Sequence, residues 1–262
     1  ARRGYDAARS PRRFGRTLGL LTGERRLYLQ EPRFLYYPEL PHRQFYEREE
    51  LPWLAELEAA TGAIRAELEA VLAEDAAAFR PYVERDPNRP GADPHGMAGN
   101  PDWSAFYLWK HGAVVEANAA RCPATMKALE YAPLAQTPGR TPSCLFSLLR
   151  PGARIPPHTG YVNTRLICHL PLIAPDGCAI RVGDETRAWR EGEAIAFDDT
   201  IEHEAWNRSD SLRVVLLFDV WRPELSEEER AADPLLRSAR DYNLLRARDP
   251  RHATELIAWT RV

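Results

Sequence analysis

The chain has 262 residues, of which 44% are apolar, and carries a formal net charge of −3. This composition supports one sizeable core and lies outside the range of disordered chains. The slight negative charge provides no overall basic field, so we predict no nucleic-acid partner. No apolar run reaches the roughly eighteen residues that span a bilayer, and residues 1–16 are too polar for a secretory signal, so we expect a cytoplasmic protein without a membrane span.

Residues 1–30 form a basic leading segment with a few apolar positions. Its arginines are Arg2, Arg3, Arg9, Arg12, Arg13, Arg16, Arg25 and Arg26. A solvated helix end or a linker is the simplest interpretation of the start of this segment. The aromatic stretch Phe34–Leu40 that follows predicts a buried extended segment.

From Leu51 to Leu72, apolar residues recur at helical spacing with acidic residues between them. This pattern predicts one amphipathic helix packed on a larger body. Residues 81–101 are rich in Pro, Gly, Asp and Asn, which predicts a long loop near a site opening. The aromatic group in Asp102–Trp109 is typical of a core, although such a group can also wall a pocket.

After Pro142 the sequence predicts short strands separated by turn signals such as Pro151-Gly152. These strands are Cys144–Leu149, Thr164–Leu172, Cys178–Val182, Arg187–Trp189, Ala194–Phe197, Glu204–Trp206 and Leu212–Trp221. Because they follow the helices instead of alternating with them, a parallel βαβ sheet is disfavoured. We predict a mainly β fold with flanking helices: a double-stranded β-helix (jelly roll) core at about 142–222, an N-terminal helical and loop segment, and a short C-terminal helix that begins with the capping box Ser226–Glu229.

Three of the seven histidines, His158, His169 and His203, lie in the strand-rich half. His158 lies in a Pro-Pro-His turn entering a strand, and His203 follows 45 residues later. Two histidines from separate strands can converge at the mouth of a jelly roll. Imidazole suits Fe(II), which needs open positions for a 2-oxo acid and O₂.

Arg213 heads an apolar strand ten residues after His203. A guanidinium there is costly to bury unless it meets an anion, and its planar fork fits a carboxylate. Asp198, Asp199 and Asp219 are alternative partners within the chain. From spacing alone, an iron site and a plain cupin-like binding barrel explain the pattern equally well.

Eleven short motifs follow one another in one order between Phe34 and Leu225. They are YYPEL (36–40), DWSAF (102–106), SLLRPG (147–152), PHTG (157–160), NTRL (163–166), CHL (168–170), GCAIR (177–181), WREG (189–192), FDD (197–199), HEAW (203–206) and DVWRPEL (219–225). This series resembles the aspartyl/asparaginyl β-hydroxylase family of iron(II)- and 2-oxoglutarate-dependent oxygenases.

The resemblance implies Fe(II), 2-oxoglutarate and O₂ as cofactors. It implies that His158 and His203 are the iron ligands and the catalytic pair. It also implies that Arg213 and Ser147 bind the distal carboxylate of 2-oxoglutarate, and that His169 lies near the 2-oxo-acid end.

Further residues receive weaker assignments from the same resemblance. Trp103, Arg165 and Gly160 are placed at the substrate pocket. Packing in the core is an equal alternative for Trp103, and a structural salt bridge is the simpler role for Arg165. Asp198 and Asp199 are expected to orient neighbouring groups around the metal.

One departure from the family pattern concerns the metal. The usual facial triad has a carboxylate two residues after the first histidine, where this chain has Gly160. The chain here resembles the animal peptide hydroxylases of the family, which use two histidines and a water, and differs from lipid A acyl-chain hydroxylases, which keep an aspartate. Glu202 and Glu204 are discounted as substitutes, because on an extended strand they would point away from the face of His203.

A second departure concerns the substrate. Leu145, Ile167 and Ala105 stand where the animal enzymes have basic or amide side chains. By resemblance the reaction is hydroxylation of the β-carbon of Asp or Asn residues in a peptide or protein. The alternatives are the same chemistry on a lipid or small amino-acid-like substrate, and a non-catalytic jelly-roll binding module. We expect 1–30 to be the remnant of an N-terminal helical-repeat module and 31–262 to be the oxygenase domain.

Overall fold

The computed structural model describes residues 10–84, 96–137 and 141–232. The first nine residues of the leading segment, most of the predicted 81–101 loop and the tail after 232 lie outside the described residues. Two antiparallel sheets face each other, and helices cover the outer side of the larger sheet. The core therefore has two layers, one between the sheets and one under the helices.

The strands are numbered along the chain. They are β1 (Phe45–Tyr46), β2 (Arg80–Pro81), β3 (Trp103–Lys110), β4 (Ala113–Val114), β5 (Cys144–Leu149), β6 (Arg154–His158), β7 (Arg165–Ile173), β8 (Cys178–Val182), β9 (Glu185–Ala188), β10 (Ile195–Phe197), β11 (His203–Asn207) and β12 (Arg213–Trp221). The larger sheet has the order β1-β10-β7-β12-β5-β3-β2, with β4 beside β3, and the smaller has the order β6-β11-β8-β9. From β5 onward the chain crosses repeatedly between the two sheets, which is the connectivity of a double-stranded β-helix and confirms the predicted jelly roll.

Strand β6 was not predicted, because Pro156 and Pro157 suggested a turn. The structure places β6 at the edge of the smaller sheet, where a proline does not interrupt a ladder on both sides. Strands β5 and β8 have their predicted bounds, whereas β9 begins two residues earlier than predicted. The prediction of a buried extended segment at Phe34–Leu40 is wrong. The segment forms an isolated bridge between Leu35 and Val162, Leu40 is its one buried residue, and Tyr36 is 48% exposed.

The helices are also numbered along the chain. They are α1 (Arg12–Thr22), α2 (Leu54–Ala59), α3 (Thr61–Asp75), α4 (Glu116–Ala119), α5 (Pro123–Leu129) and α6 (Glu227–Ala232). The single helix predicted over 51–72 is wrong, because the chain breaks into α2 and α3 at Ala60. The Thr61 hydroxyl donates to the Glu58 carbonyl at 2.6 Å, and such a local bond competes with the helical pattern. No helix in the described ranges is long and apolar enough to cross a bilayer.

Side chains on the larger sheet alternate between the two core layers. On β12, Leu216 and Phe218 pack under the helices, while Val215 and Leu217 face the smaller sheet. Three polar residues, Ser147 on β5, His169 on β7 and Arg213 on β12, are buried at alternate positions whose side chains point between the two sheets. The layer between the sheets thus combines apolar packing with a few buried polar groups.

A buried salt bridge ties the leading segment to the sheets. Arg222 and Asp198 have fully buried side chains joined at 2.9 Å. The amide of Gln30 donates to Asp198 at 2.5 Å, and Arg222 also donates to the carbonyls of Asn163 and Pro41 at 3.2 and 2.7 Å. These bonds fix the loop before β11 against the segment that precedes β1.

Replacing Arg222 with Met should destabilise the fold, because the substitution leaves the Asp198 carboxylate buried without its counter-charge. Breaking one side of a buried pair typically costs about 3–5 kcal/mol. Urea denaturation measures the change. Arg190→Met is the matched control, since Arg190 forms an exposed contact with Glu193, and its loss should cost under about 1 kcal/mol. Equal effects of the two changes would contradict this account of the buried pair.

Candidate functional site

The two strand-borne histidines lie side by side. His158 ends β6 and His203 begins β11, and the two residues are direct cross-strand partners. Their ring centroids are 4.1 Å apart. The structure therefore brings together the two residues that the sequence analysis assigns to a metal.

Both imidazoles are held by backbone carbonyls. Nδ1 of His158 lies 2.8 Å from the carbonyl oxygen of Pro156, and Nδ1 of His203 lies 3.1 Å from that of Ile201. A carbonyl only accepts, so each Nδ1 carries the hydrogen and Nε2 of the neutral ring carries the lone pair that binds a metal. Burial, reinforced by the neighbouring His158 ring, holds the pKa of His203 well below its usual range and keeps it neutral.

Gly160 lies directly against a carboxylate. A β-carbon at residue 160 would overlap the side chain of Asp199, and the Gly160 amide donates to the Asp199 carbonyl at 2.6 Å. The space in which a triad aspartate would begin is therefore filled by Asp199 from the neighbouring loop. Across the described residues, no three His, Cys, Asp or Glu side chains form a metal-binding group.

Asp199 is buried, and its Oδ1 has no hydrogen-bond partner among the described residues. Burial raises the pKa of Asp199 to about 7, with Arg165 opposing the shift and Asp198 adding to it. Arg165 forms the predicted salt bridge, with Asp219 at 3.0 Å. A buried acid that lacks a full set of partners, beside the metal-ligand candidates, can orient a water or a ligand.

The two glutamates discounted as ligands lie away from the histidines. Arg181 holds Glu202 at 2.9 Å and Glu204 at 2.6 Å. Arg154 contacts Glu204 as well. Both carboxylates are thus occupied by surface arginines.

Within the described part of the chain, no carboxylate pairs with the buried Arg213. Its side chain is 1% exposed, its Nη1 donates to the carbonyl and hydroxyl of Ser147 at 3.0 and 3.4 Å, and its Nε has no partner. Two of the aspartates considered as alternative partners, Asp198 and Asp219, pair with Arg222 and Arg165 instead. Burial lowers the pKa of Arg213 to about 9. A guanidinium in this state favours an incoming anion.

Two aromatic side chains accompany Arg213. Its guanidinium lies 4.6 Å from the Trp189 ring, and the Trp189 and His169 rings are 5.8 Å apart. Trp189 Nε1 and His169 Nδ1 are also buried, and neither has a hydrogen-bond partner in the part of the chain that the structure describes. Burial, together with the Arg213 charge, lowers the pKa of His169 to about 3, so this ring is neutral. Three adjacent side chains thus present unused nitrogen atoms, as expected of a site for a polar ligand.

Contacts link Arg213 to the histidine pair along one side of the inner face. Ser147 Oγ, which Arg213 contacts, accepts from Trp103 Nε1 at 3.2 Å, and the Trp103 ring lies 6.2 Å from that of His158. Tyr82 stacks on Trp103 at 4.1 Å. Trp103 is therefore part of the site wall as well as the core.

A second series of contacts links His169 to His203 through the ring of Phe197. This ring lies 5.1 Å from His169 and 5.4 Å from His203. The sequence analysis assigned no role to Phe197, Trp189 or Tyr82. The first two lie in the motifs FDD and WREG, which was a usable signal, whereas Tyr82 lies in the stretch that the sequence marked as a loop.

Three apolar residues that stand where the animal enzymes have basic or amide side chains are all buried. Leu145 and Ala105 lie on β5 and β3 in the same inward series as Ser147, and Ile167 lies two residues from His169 on β7. All three belong to the apolar cluster between the sheets. The inner face near the site is therefore apolar around its few polar groups.

Sequence comparisons match the chain to known hydroxylases. The sequence profile described as aspartyl/asparaginyl beta-hydroxylase matches residues 58–223. The chain is 41% identical over 137 residues to the aspartyl/asparaginyl beta-hydroxylase of Mus musculus, covering 52% of this chain and 18% of that protein. It is 37% identical over 194 residues to the ornithine lipid ester-linked acyl 2-hydroxylase of Rhizobium tropici, covering 72% of this chain and 64% of that protein.

A third relative is aspartate beta-hydroxylase domain-containing protein 2 of Homo sapiens. It is 28% identical over 207 residues, covering 78% of this chain and 54% of that protein. The chain thus spans about a fifth of the mouse protein's length and between about half and two thirds of the other two. The profile covers most of the chain, including both histidines and Arg213, and on this basis the chain belongs to the aspartyl/asparaginyl beta-hydroxylase family.

Proposed function

We propose that this chain is an iron(II)- and 2-oxoglutarate-dependent oxygenase that hydroxylates an aliphatic C–H bond. The observation that carries the proposal is the buried guanidinium of Arg213, without a carboxylate partner, linked by packed side chains to the oriented pair His158 and His203. Bound Fe(II) would couple the oxidative decarboxylation of 2-oxoglutarate by O₂ to hydroxylation of the substrate, giving succinate and CO₂.

The residues present fit these cofactors. His158 and His203 would hold Fe(II) through Nε2, because their Nδ1 atoms are tied to carbonyls. Arg213 and Ser147 would hold the distal carboxylate of 2-oxoglutarate, and His169 lies between that end and the metal ligands. Asp199 would hold a water or ligand next to Gly160, and the apolar inner face would exclude bulk water.

Two substrate classes remain as candidates. The family name favours the β-carbon of Asp or Asn residues in a peptide or protein. The apolar side chains Leu145, Ile167 and Ala105 favour an acyl chain, since they offer nothing to recognise a charged or amide side chain. Succinate formation from 2-oxoglutarate, with an aspartyl peptide and an acyl-chain amphiphile compared as substrates, tests the proposal. Absence of Fe(II)-dependent succinate formation in every case would favour a non-catalytic binding module.

His158→Ala and His203→Ala should each abolish Fe(II) binding and turnover while the fold remains, because each change removes a ligand nitrogen and leaves the pairing of β6 with β11 in place. Fe(II) titration, with circular dichroism for the fold, measures both effects. His111→Ala is the matched control, because His111 is an exposed histidine in the turn between β3 and β4. Iron affinity equal to wild type in either mutant would refute the assignment of the ligands.

Arg213→Met should have opposite effects on ligand affinity and on unliganded stability. Loss of a charge-assisted contact of about 1.5–3 kcal/mol weakens 2-oxoglutarate binding about 10- to 150-fold. The unliganded protein should be no less stable, since an unpaired buried charge is replaced by an apolar group of similar length. Calorimetric titration and urea denaturation measure the two quantities. Unchanged 2-oxoglutarate affinity with a large loss of stability would make Arg213 a structural residue.

Gly160→Asp should lower turnover, although it can tighten metal binding, because the new side chain has to displace Asp199. The double change Gly160→Asp with Asp199→Gly removes this overlap and should recover part of the loss. Succinate formation and Fe(II) affinity of the single and double variants provide the test. An inactive wild type that Gly160→Asp switches on would show instead that this chain has lost its iron chemistry.

A further inference from the structure

Exposed apolar side chains are concentrated in one part of the molecule. Among the described residues, every exposed large apolar side chain except Tyr131 lies within residues 14–36 or at Tyr161. Leu21, Leu27 and Leu29 are 78%, 65% and 51% exposed. Scattered exposed apolar residues are ordinary, but a concentration of them marks an interaction surface.

Helix α1 is held on the body by Arg16, and its apolar side faces outward. Arg16 donates to Gln44 at 2.7 Å and to Glu185 at 2.9 Å. Just after the helix, Arg25 donates to Asp184 at 2.8 Å. Leu21 lies on a different side of the helix from Arg16. It is the most exposed large apolar residue in the described part of the chain. The orientation of the helix is therefore fixed by ion pairs and not by burial of its leucines.

The same segment is strongly basic. Residues 10–36 contain six arginines and only two acidic residues, although the whole chain has a net charge of −3. Arg13, Arg26 and Arg33 are exposed and belong to the same segment as the leucines. Basic residues flanking exposed leucines are the pattern of a surface that binds anionic lipid headgroups while inserting apolar side chains.

This surface is continuous with the loops that carry the histidines. The Arg33 amide donates to the Gly160 carbonyl and the Glu31 amide to the Thr200 carbonyl, at 2.9 and 2.8 Å. The Arg33 guanidinium also lies 5.3 Å from the ring of Tyr161, which is 56% exposed. The segment therefore runs across the ends of both histidine-bearing loops.

The attachment of α1 lies at the same end of the smaller sheet. Asp184 and Glu185 follow Val182, which is the cross-strand partner of His203 on β8. Both the ion pairs of α1 and the hydrogen bonds of residues 31–33 are thus at the histidine end of the jelly roll.

We propose that residues 12–36 together with Tyr161, here called the basic apolar surface, dock the protein on an anionic lipid bilayer. The leucines enter the interfacial region, and the exposed arginines contact the headgroups. Docking places the histidine end next to the membrane, so that the substrate is an amphiphile drawn from the bilayer. This last consequence rests on the proposed oxygenase function, whereas the docking itself does not.

Co-sedimentation of the full 262-residue chain with vesicles tests the docking. Vesicles of phosphatidylcholine with one quarter phosphatidylglycerol should pellet the protein, whereas pure phosphatidylcholine vesicles should pellet much less. Raising the salt from about 0.1 to about 0.5 M should weaken the binding, since headgroup attraction is screened. Equal binding to both vesicle types, or none to either, would overturn the proposal.

Two variants with a matched control separate the contributions. Leu21→Ser/Leu27→Ser/Leu29→Ser should weaken vesicle binding by at least about tenfold, because the apolar insertion is lost. Arg13→Gln/Arg26→Gln should weaken it by about tenfold or more, since each basic residue near an anionic surface contributes several-fold.

The control is Tyr131→Ser/Arg190→Gln, which removes an exposed aromatic ring and an exposed arginine outside the surface. The control should bind vesicles like wild type. An equal loss in the control, or full binding by both test variants, would contradict the docking surface.

Two further outcomes have defined meanings. If the leucines instead pack on a second copy of the chain, sedimentation equilibrium will show a dimer that the leucine variant dissociates, and the proposal fails.

Succinate formation in detergent-free buffer is measured on the same samples. Turnover without vesicle binding rejects the docking alone, whereas vesicle binding without Fe(II)-dependent turnover rejects the proposed function alone.

Discussion

A positive charge buried without a counter-charge is the constraint on which the site depends. Among the described residues, the buried Arg222 and the largely buried Arg165 each meet an aspartate, whereas Arg213 meets Ser147 and the face of Trp189 but no carboxylate. Such a group destabilises the unliganded fold, and in the proposed function a bound 2-oxo acid supplies the missing anion. The jelly roll makes this possible because alternate residues of β12 and β5 point between the sheets, where Arg213 and Ser147 become neighbours.

The histidine pair, which holds the metal in the proposed function, depends on a different property of the same fold. Cross-strand pairing of β6 with β11 sets His158 beside His203, and the chain's own carbonyls select the tautomer of each ring. Gly160 has no side chain at the place where a facial triad has its carboxylate. Asp199 fills that space from the neighbouring loop. In a facial triad the carboxylate comes two residues after the first histidine. Here the carboxylate against the site is that of Asp199, which comes from another part of the chain.

Much of this could be predicted from the sequence, because alternating strands and turn signals are local patterns. The histidines and Arg213 could be singled out because charged or ligating residues in apolar strands demand an explanation. The proximity of Asp199 to Gly160 could not be predicted, since it depends on how two loops 39 residues apart pack together. Sequence motifs give no distance between residues that far apart in the chain. The break at Ala60 and the edge strand β6 were missed for local reasons, a threonine hydroxyl and two prolines whose effect depends on tertiary context.

In the proposed function, Arg213 binds the distal carboxylate of a 2-oxo acid that is held at the histidine pair. An anaerobic titration of the Fe(II)-loaded protein with 2-oxoglutarate and with 2-oxopentanoate tests it directly, because the two acids share the metal-binding end and differ only in the distal group. We predict that 2-oxoglutarate binds at least about tenfold more tightly, as expected for a charge-assisted contact to a buried guanidinium. Equal affinities for the two acids would contradict the claim.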